Sequence, residues 1–272
     1  MALLTRHAKE RVLAPILSEG VGARLEVVDD FDTDTLGTFT RDVSRAGSQV
    51  EAARRKAEIA IERSGAGIGI GSEGAFTPGP FGLGSWNIEL VALVDRTHGI
   101  EVIGRARAPG LHAYAAIESR AELEAFARSA GFPEHGLVVR PSDERDSRIV
   151  KGLRDADSLV AAFEEARRAS SSGRVFVESD LRAHMHPTRM KTIAEAARDL
   201  VARLACACPA CSLPGFGVVG TVPGRPCSDC GAPTREAIAD EFGCVRCGHR
   251  EERARVAGGA GASPAVCDYC NP

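Results

Sequence analysis

Four C-x-x-C pairs crowd the last quarter of this 272-residue chain: Cys208/Cys211, Cys227/Cys230, Cys244/Cys247 and Cys267/Cys270. Two residues between cysteines let both thiolates of a knuckle reach one tetrahedral ion, and two knuckles complete a four-thiolate shell. Four knuckles therefore predict two Zn2+ ions in structural sites. In Cys227-Ser-Asp-Cys230-Gly231 and Cys244-Val-Arg-Cys247-Gly248 a glycine follows the second cysteine, where a left-handed backbone aims amide N–H groups at sulfur. The 13 residues between these two knuckles fit a small hairpin, which pairs them as one zinc ribbon and leaves Cys208/Cys211 with Cys267/Cys270 as an outer site. Interleaved and sequential pairings satisfy the same spacing. The ninth cysteine, Cys206, adjoins a ligand.

Large apolar residues are sparse from Cys206 to Pro272, so this segment has no hydrophobic core of its own. A structural zinc contributes about 10–16 kcal/mol, far more than so few apolar side chains, and the segment is expected to be unfolded without metal. Closed four-cysteine shells leave no position for water or substrate, which makes them scaffolding rather than catalytic centres. Arg225, Arg235, Arg246, Arg250, Arg253 and Arg255 are offset by Asp229, Glu236, Asp240, Glu241, Glu251, Glu252 and Asp268. Without a basic excess the attraction to a phosphate backbone is weak. A two-zinc module is nonetheless a common interaction element, through which a protein or RNA partner could dock.

A net charge of −3 and 44% hydrophobic residues describe a soluble globular protein with no general pull toward nucleic acid or membrane. The longest apolar runs are too short to cross a bilayer, and no secretion signal is expected from the first residues. Clustered C-x-x-C pairs without such a signal favour metal ligation over disulfides, and a cytoplasmic location is expected.

Residues 1–204 alternate β-branched runs with amphipathic stretches, the pattern of an α/β domain with a mixed β-sheet flanked by helices; residues 205–272 form the zinc-binding module. Strands are expected at Ala2–Thr5, Arg24–Val28, Gly67–Gly71, Trp86–Val94, Ile100–Ala106, Leu137–Arg140 and Arg174–Glu178. Helices are expected at Ala8–Ser18, Gln49–Ser64, Arg120–Ala130, Ser158–Ala169 and Thr188–Leu204. Ser48-x-x-Glu51 and Ser119-x-x-Glu122 read as capping boxes, and Pro187 suits the first turn of the last helix. Gly74–Gly84, Pro141–Ser147 and Ser170–Gly173 read as surface loops, the first able to act as a lid.

Four polar constellations stand out in the α/β part. Glu73 follows the apolar run Gly67–Gly71, and a carboxylate at a strand end beside a glycine-rich loop is where open α/β sheets place ligand chemistry. Glu178, Asp180, Arg182, His184, His186 and Arg189 lie within twelve residues. In extended chain Glu178 and Asp180 share one face, as do His184 and His186, and the set could bind a divalent ion or share acid–base work. An Asp180–Arg182 ion pair is the plainer outcome. At the N-terminus Thr5, His7 and Lys9 sit where a short strand enters a helix, a place suited to holding phosphate. The polar loop 32–40 offers further side-chain oxygens and equally has the composition of an ordinary turn.

Thr5-Arg-His-Ala-Lys-Glu10, Leu36-Gly-Thr-Phe-Thr40, Ser72-Glu-Gly-Ala-Phe76, Glu178-Ser-Asp-Leu-Arg-Ala-His-x-x-Pro-Thr-Arg-Met190 and the four knuckles together resemble a bacterial domain-of-unknown-function family. That resemblance covers nearly the whole chain and implies no established activity. A looser resemblance, over about the first 204 residues, is to the inosine triphosphate pyrophosphatase superfamily. The motifs that carry it are Thr5-Arg-His7-Ala-Lys9, Glu51-Ala-Ala-Arg-Arg-Lys56-Ala57, Gly-Ile-Gly-Ile-Gly-Ser-Glu73 and His186-Pro-Thr-Arg189. It implies a pyrophosphatase-like α/β fold that binds, and hydrolyses with Mg2+, a nucleotide-like phosphate. Thr5, His7, Lys9 and Lys56 would then face phosphate. Glu51 and Glu73 would hold magnesium and orient water, with Glu178 and Asp180 as alternative ligands, and Arg182 or Arg189 would neutralise charge. His7 and Ala52 stand where that superfamily has asparagines, and one Glu73 stands for a double acid.

Overall fold

The run Gly67-Ile-Gly-Ile-Gly71 predicts a buried strand, and its glycines decide how closely that strand approaches its covering helix. In the computed structural model, which describes residues 1–36, 47–79, 84–255 and 261–272, the strand is β3 (Ile68–Pro78) and the helix α2 (Gln49–Ser64). A Cβ on Gly69 would collide with the Ala57 carbonyl, and one on Gly71 with the Ala53 carbonyl. Only glycine permits that backbone contact. The helix starts at a complete capping box: Ser48 Oγ accepts from Glu51 N–H at 3.2 Å, and Glu51 Oε2 accepts from Ser48 N–H at 2.7 Å.

Met1–His98 and Ile103–Val201 form one compact unit, and Gly99–Val102 with Ala202–Pro272 the other. The first is mixed α/β. Its five-stranded sheet runs β2 (Glu26–Val28), β1 (Ala2–Leu4), β3, β4 (Ser85–Asp95), β5 (Ile100–Gly110). β1 pairs in parallel with β2 and β3, whereas β3 and β4 are antiparallel along their whole lengths. Ala2, Leu4 and Val28 pack against Ile59 and Ala60 of α2. The helix α1 (Glu10–Val21) follows β1 directly.

The second sheet, β6 (Tyr114–Ile117), β9 (Val175–Ser179), β7 (Leu137–Arg140) and β8 (Val150–Leu153), is wholly antiparallel. Its core joins Leu137, Val139, Val175 and Val177 to Leu123 of α3 (Arg120–Ser129) and to Leu159 and Phe163 of α4 (Ala156–Ala169). The final helix, α5 (Pro187–Leu204), begins at Pro187 as expected. No helix among the described residues is long and apolar enough to cross a membrane.

Three expectations are corrected. Gly74–Gly84 is no loop at its start: β3 continues through it to Pro78, because every residue from Ile68 to Pro78 finds a partner on β4. Residues 80–83 lie outside the described ones, as do residues 37–46 with part of the polar loop 32–40. The box at Ser119 is half formed. Its Oγ caps Glu122 N–H, but Glu122 reaches the backbone of Glu118 instead. Finally, Ala183–Met185 coils into a 3-10 turn, so His184 and His186 do not align as they would on extended chain.

In the second unit β10 (Gly217–Pro223), β11 (Ala237–Gly243) and β12 (Arg250–Ala254) form an antiparallel meander. Its apolar core is small: Phe216 and Phe242 with the buried Cys208 and Cys244.

Candidate functional site

All four knuckles are built alike. The N–H of the residue after the second cysteine donates to the first cysteine's carbonyl: Ser212 to Cys208 at 2.8 Å, Gly231 to Cys227 at 3.0 Å, Gly248 to Cys244 at 3.3 Å and Asn271 to Cys267 at 2.9 Å. Three of those four residues are left-handed, with φ of 62° at Ser212, 72° at Gly231 and 74° at Gly248. The turn aims amides at sulfur, as when Ala210 N–H and Arg246 N–H reach Cys208 Sγ and Cys244 Sγ at 3.4 Å.

The knuckles pair in an interleaved order. Cys208, Cys211, Cys244 and Cys247 gather in one cluster and Cys227, Cys230, Cys267 and Cys270 in the other, with sulfurs in each within 4.8 Å of one another. This corrects the pairing of the two middle knuckles, and the meander explains why. Gly217 at the start of β10 lies opposite Gly243 at the end of β11, so the knuckles flanking that end meet. Of the 13 residues between Cys230 and Cys244, seven form β11, and a strand of that length spans roughly 20 Å. One ion cannot bridge it. β12 carries the chain back, and the last knuckle closes on Cys227 and Cys230.

The sulfur spacing is that of a metal shell. A tetrahedron with metal–sulfur bonds of about 2.3 Å has edges of about 3.8 Å. Cys208–Cys247 and Cys211–Cys244 lie 3.7 and 3.6 Å apart, and Cys227–Cys270 and Cys230–Cys267 lie 3.9 and 3.6 Å apart. A disulfide would need about 2.05 Å, and all nine cysteines are free. Each cluster can hold one metal ion. Cys206 stays outside both, its thiol on the Ala202 carbonyl.

The first unit carries a different chemistry, a buried charge cluster where β1 stops and β3 runs on. Ala2 and Leu3 pair with Gly69 and Ile70, and beyond that rung β3 has no β1 neighbour. The vacated carbonyl of Ser72 is taken by Lys9, whose Nζ donates to Ser72 O at 3.0 Å and to Ser72 Oγ at 3.2 Å. Lys9 caps the start of α1 and is only 6% exposed. Burial, then Arg189 and Lys56, lowers its pKa to about 7, against the pull of Glu89 and Glu73. His7, stacked on His184 at 5.1 Å, is lowered to about 2, chiefly by burial and then by Lys9, and is therefore neutral. Thr5 is buried beside them, its Oγ1 accepting from His7 N–H at 3.2 Å.

Around Lys9 the other cations are matched. Lys56 bonds Glu73 at 2.5 Å, Arg189 bonds Glu89 at 2.5 Å and also reaches the Leu181 carbonyl, and Arg182 bonds Asp180 at 2.6 Å. A Cβ on Gly74 would strike Arg189 and Glu89, so glycine there makes room for that pair. Glu178 turns to Arg140 at 3.4 Å, while Arg140 Nη1 donates to the Asp146 carbonyl at 2.6 Å. His186 Nε2 meets the Leu111 carbonyl at 2.8 Å and so carries the proton, since a carbonyl only accepts. Its Nδ1 then accepts from Arg189 N–H at 3.2 Å, capping α5. Burial lowers its pKa to about 4, so it stays neutral as that cap.

The structure thus brings Thr5, His7, Lys9, Lys56, Glu73, Arg182, His184 and Arg189 into one electrostatic cluster, and His186 to its edge. It does not assemble the expected magnesium ligands. Glu73 lies within β3 rather than at its end and is held by Lys56, Glu178 and Asp180 are held by arginines, and Glu51 is exposed in the capping box. Among the described residues the groups of three or more potential metal ligands are the two cysteine clusters. Magnesium does not fit what these carboxylates offer. Glu89, Arg140 and Gln49, whose Nε2 donates to the Glu73 and Ile88 carbonyls, were not among the expected site residues. Glu89, a charge inside the apolar stretch Ile88–Val94, was the signal available.

Fold and site define a mixed α/β protein that carries a buried cluster of paired charges around Lys9 and two four-cysteine clusters, each able to hold a metal ion. The chain belongs to the family described as a domain of unknown function, DUF6671, whose model matches residues 56–272. That span holds Lys56, Glu73, Glu89, Arg189 and all eight knuckle cysteines, and leaves out Thr5, His7, Lys9 and Glu51. Neither a curated protein nor a solved structure is significantly similar to this chain.

Proposed function

We propose that the α/β unit binds the phosphate end of a nucleotide-like small molecule at Lys9, and that each four-cysteine cluster holds a structural Zn2+. The observation that carries the first reading is Lys9 itself. It is a buried ammonium whose bonds, among the described residues, are to one serine and to no carboxylate, beside three cations already matched to Glu73, Glu89 and Asp180. An unmatched buried charge is costly, and an anion would compensate it. Arg189 and Lys56 lie close enough to act on the Lys9 charge, and Thr5 and His7 supply neutral hydrogen-bonding groups. Zinc is favoured by an all-thiolate tetrahedral shell with no open position.

The proposal is of binding rather than turnover, since Glu73 is occupied by Lys56. Thermal-shift titration of the zinc-loaded protein with tripolyphosphate tests it. Tripolyphosphate at saturating concentration is expected to raise the melting temperature, and Lys9→Met, which keeps the side chain's length and removes its charge, is expected to abolish the rise. An equal rise in Lys9→Met would sink the assignment. Stabilisation by RNA that added salt removes would instead support docking through the zinc unit.

A further inference from the structure

One face of the β3–β4 pair carries the cluster as a ladder. The register sets Ser72 opposite Val91, Gly74 opposite Glu89 and Phe76 opposite Asn87. Residues two apart on a strand share a face, so Lys9 at Ser72, the Arg189–Glu89 pair at Gly74, and Asn87 at Phe76 follow at steps of about 7 Å. The first two positions are charged. The third is not. Asn87 is 2% exposed, and neither its Nδ2 nor its Oδ1 has a hydrogen-bonding partner among the described residues. An enclosed carboxamide without partners is destabilising, and a leucine would serve a purely structural position better. The neighbourhood is aromatic: the Phe76 ring centroid lies 5.5 Å from that of His112 and 5.9 Å from that of His186.

An amide presents a donor and an acceptor side by side, the pattern that pairs with the edge of a nucleobase, and flat rings suit its faces. We infer that Asn87 is a specificity-determining residue for the base of the ligand. Its Nδ2–H donates to a ring acceptor and its Oδ1 accepts from the adjacent N–H. This rests on the anion-binding reading above only for where the ligand's other end lies, two rungs away at Lys9.

Calorimetric titration of the intact zinc-loaded protein with tripolyphosphate, the four common nucleosides and their triphosphates tests this. At least one triphosphate is expected to bind tenfold or more tighter than tripolyphosphate. Asn87→Leu and Asn87→Ala are both expected to reduce that nucleotide to the affinity of tripolyphosphate and leave tripolyphosphate itself unchanged. Asn87→Leu should in addition melt at a higher temperature than the wild type. The inference is overturned if no nucleotide outbinds tripolyphosphate, or if the preference survives both substitutions, in which case a trapped water satisfies the amide. If tripolyphosphate does not bind while a nucleoside binds through Asn87, the base site stands and the phosphate reading at Lys9 falls.

Discussion

Lys9 and Glu73 show what single residues reveal and hide. Both lie in motifs that stand out in the sequence, but their partners come from elements distant in the chain: Ser72 lies 63 residues from Lys9, and Lys56 lies 17 from Glu73. No local pattern encodes such a choice, which is why a carboxylate expected to hold magnesium turns out to hold a lysine. The titration of Lys9 gives this arrangement a measurable sign. Its pKa falls from 10.5 to about 7 on folding. Between those values the unfolded chain binds the proton and the folded chain does not, so the Lys9 contribution makes stability rise with pH across that window and is flat below it. The slope of stability against pH from 7 to 10, measured by urea unfolding, is expected to be steeper in the wild type than in Lys9→Met. A bound polyphosphate favours the charged lysine and should flatten the wild-type slope. Identical slopes in both proteins would contradict the burial of that ammonium.

At the scale of elements much of the α/β part was legible. α2 (Gln49–Ser64) and β7 (Leu137–Arg140) fall where periodicity and the Ser48 cap put them, because both follow local rules of capping and apolar alternation. β6 and β8 went unseen. Each has four residues at one edge of the second sheet, and their sequences, Tyr-Ala-Ala-Ile and Val-Lys-Gly-Leu, become strands through pairing with β9 and β7 rather than through propensity. β10 to β12 were hidden by sparse apolar residues in a segment ordered around sulfur. The same contrast governs β3. Its glycines weaken strand propensity but admit α2 at backbone contact, so a methyl there must push the helix away. Gly71→Ala is expected to cost about 1–3 kcal/mol in urea unfolding, as overpacking a tight core does. A neutral effect would mean that α2 shifts freely over the sheet.

For the molecule as a whole, spacing predicted which cysteines gather in fours but not which knuckles share a cluster. The interleaved order follows from strand direction, a property that a count of intervening residues does not contain. The proposed chemistries of the two units are separate: thiolate clusters that hold the second unit's fold through zinc, and a buried lysine in the first that takes an anion. Native mass spectrometry of the intact protein with tripolyphosphate reads both at once. Two zinc ions per chain with one tripolyphosphate are expected in the wild type, and two zinc ions with no tripolyphosphate in Lys9→Met. A chain without zinc, or a Lys9→Met protein that still carries the ligand, would contradict it.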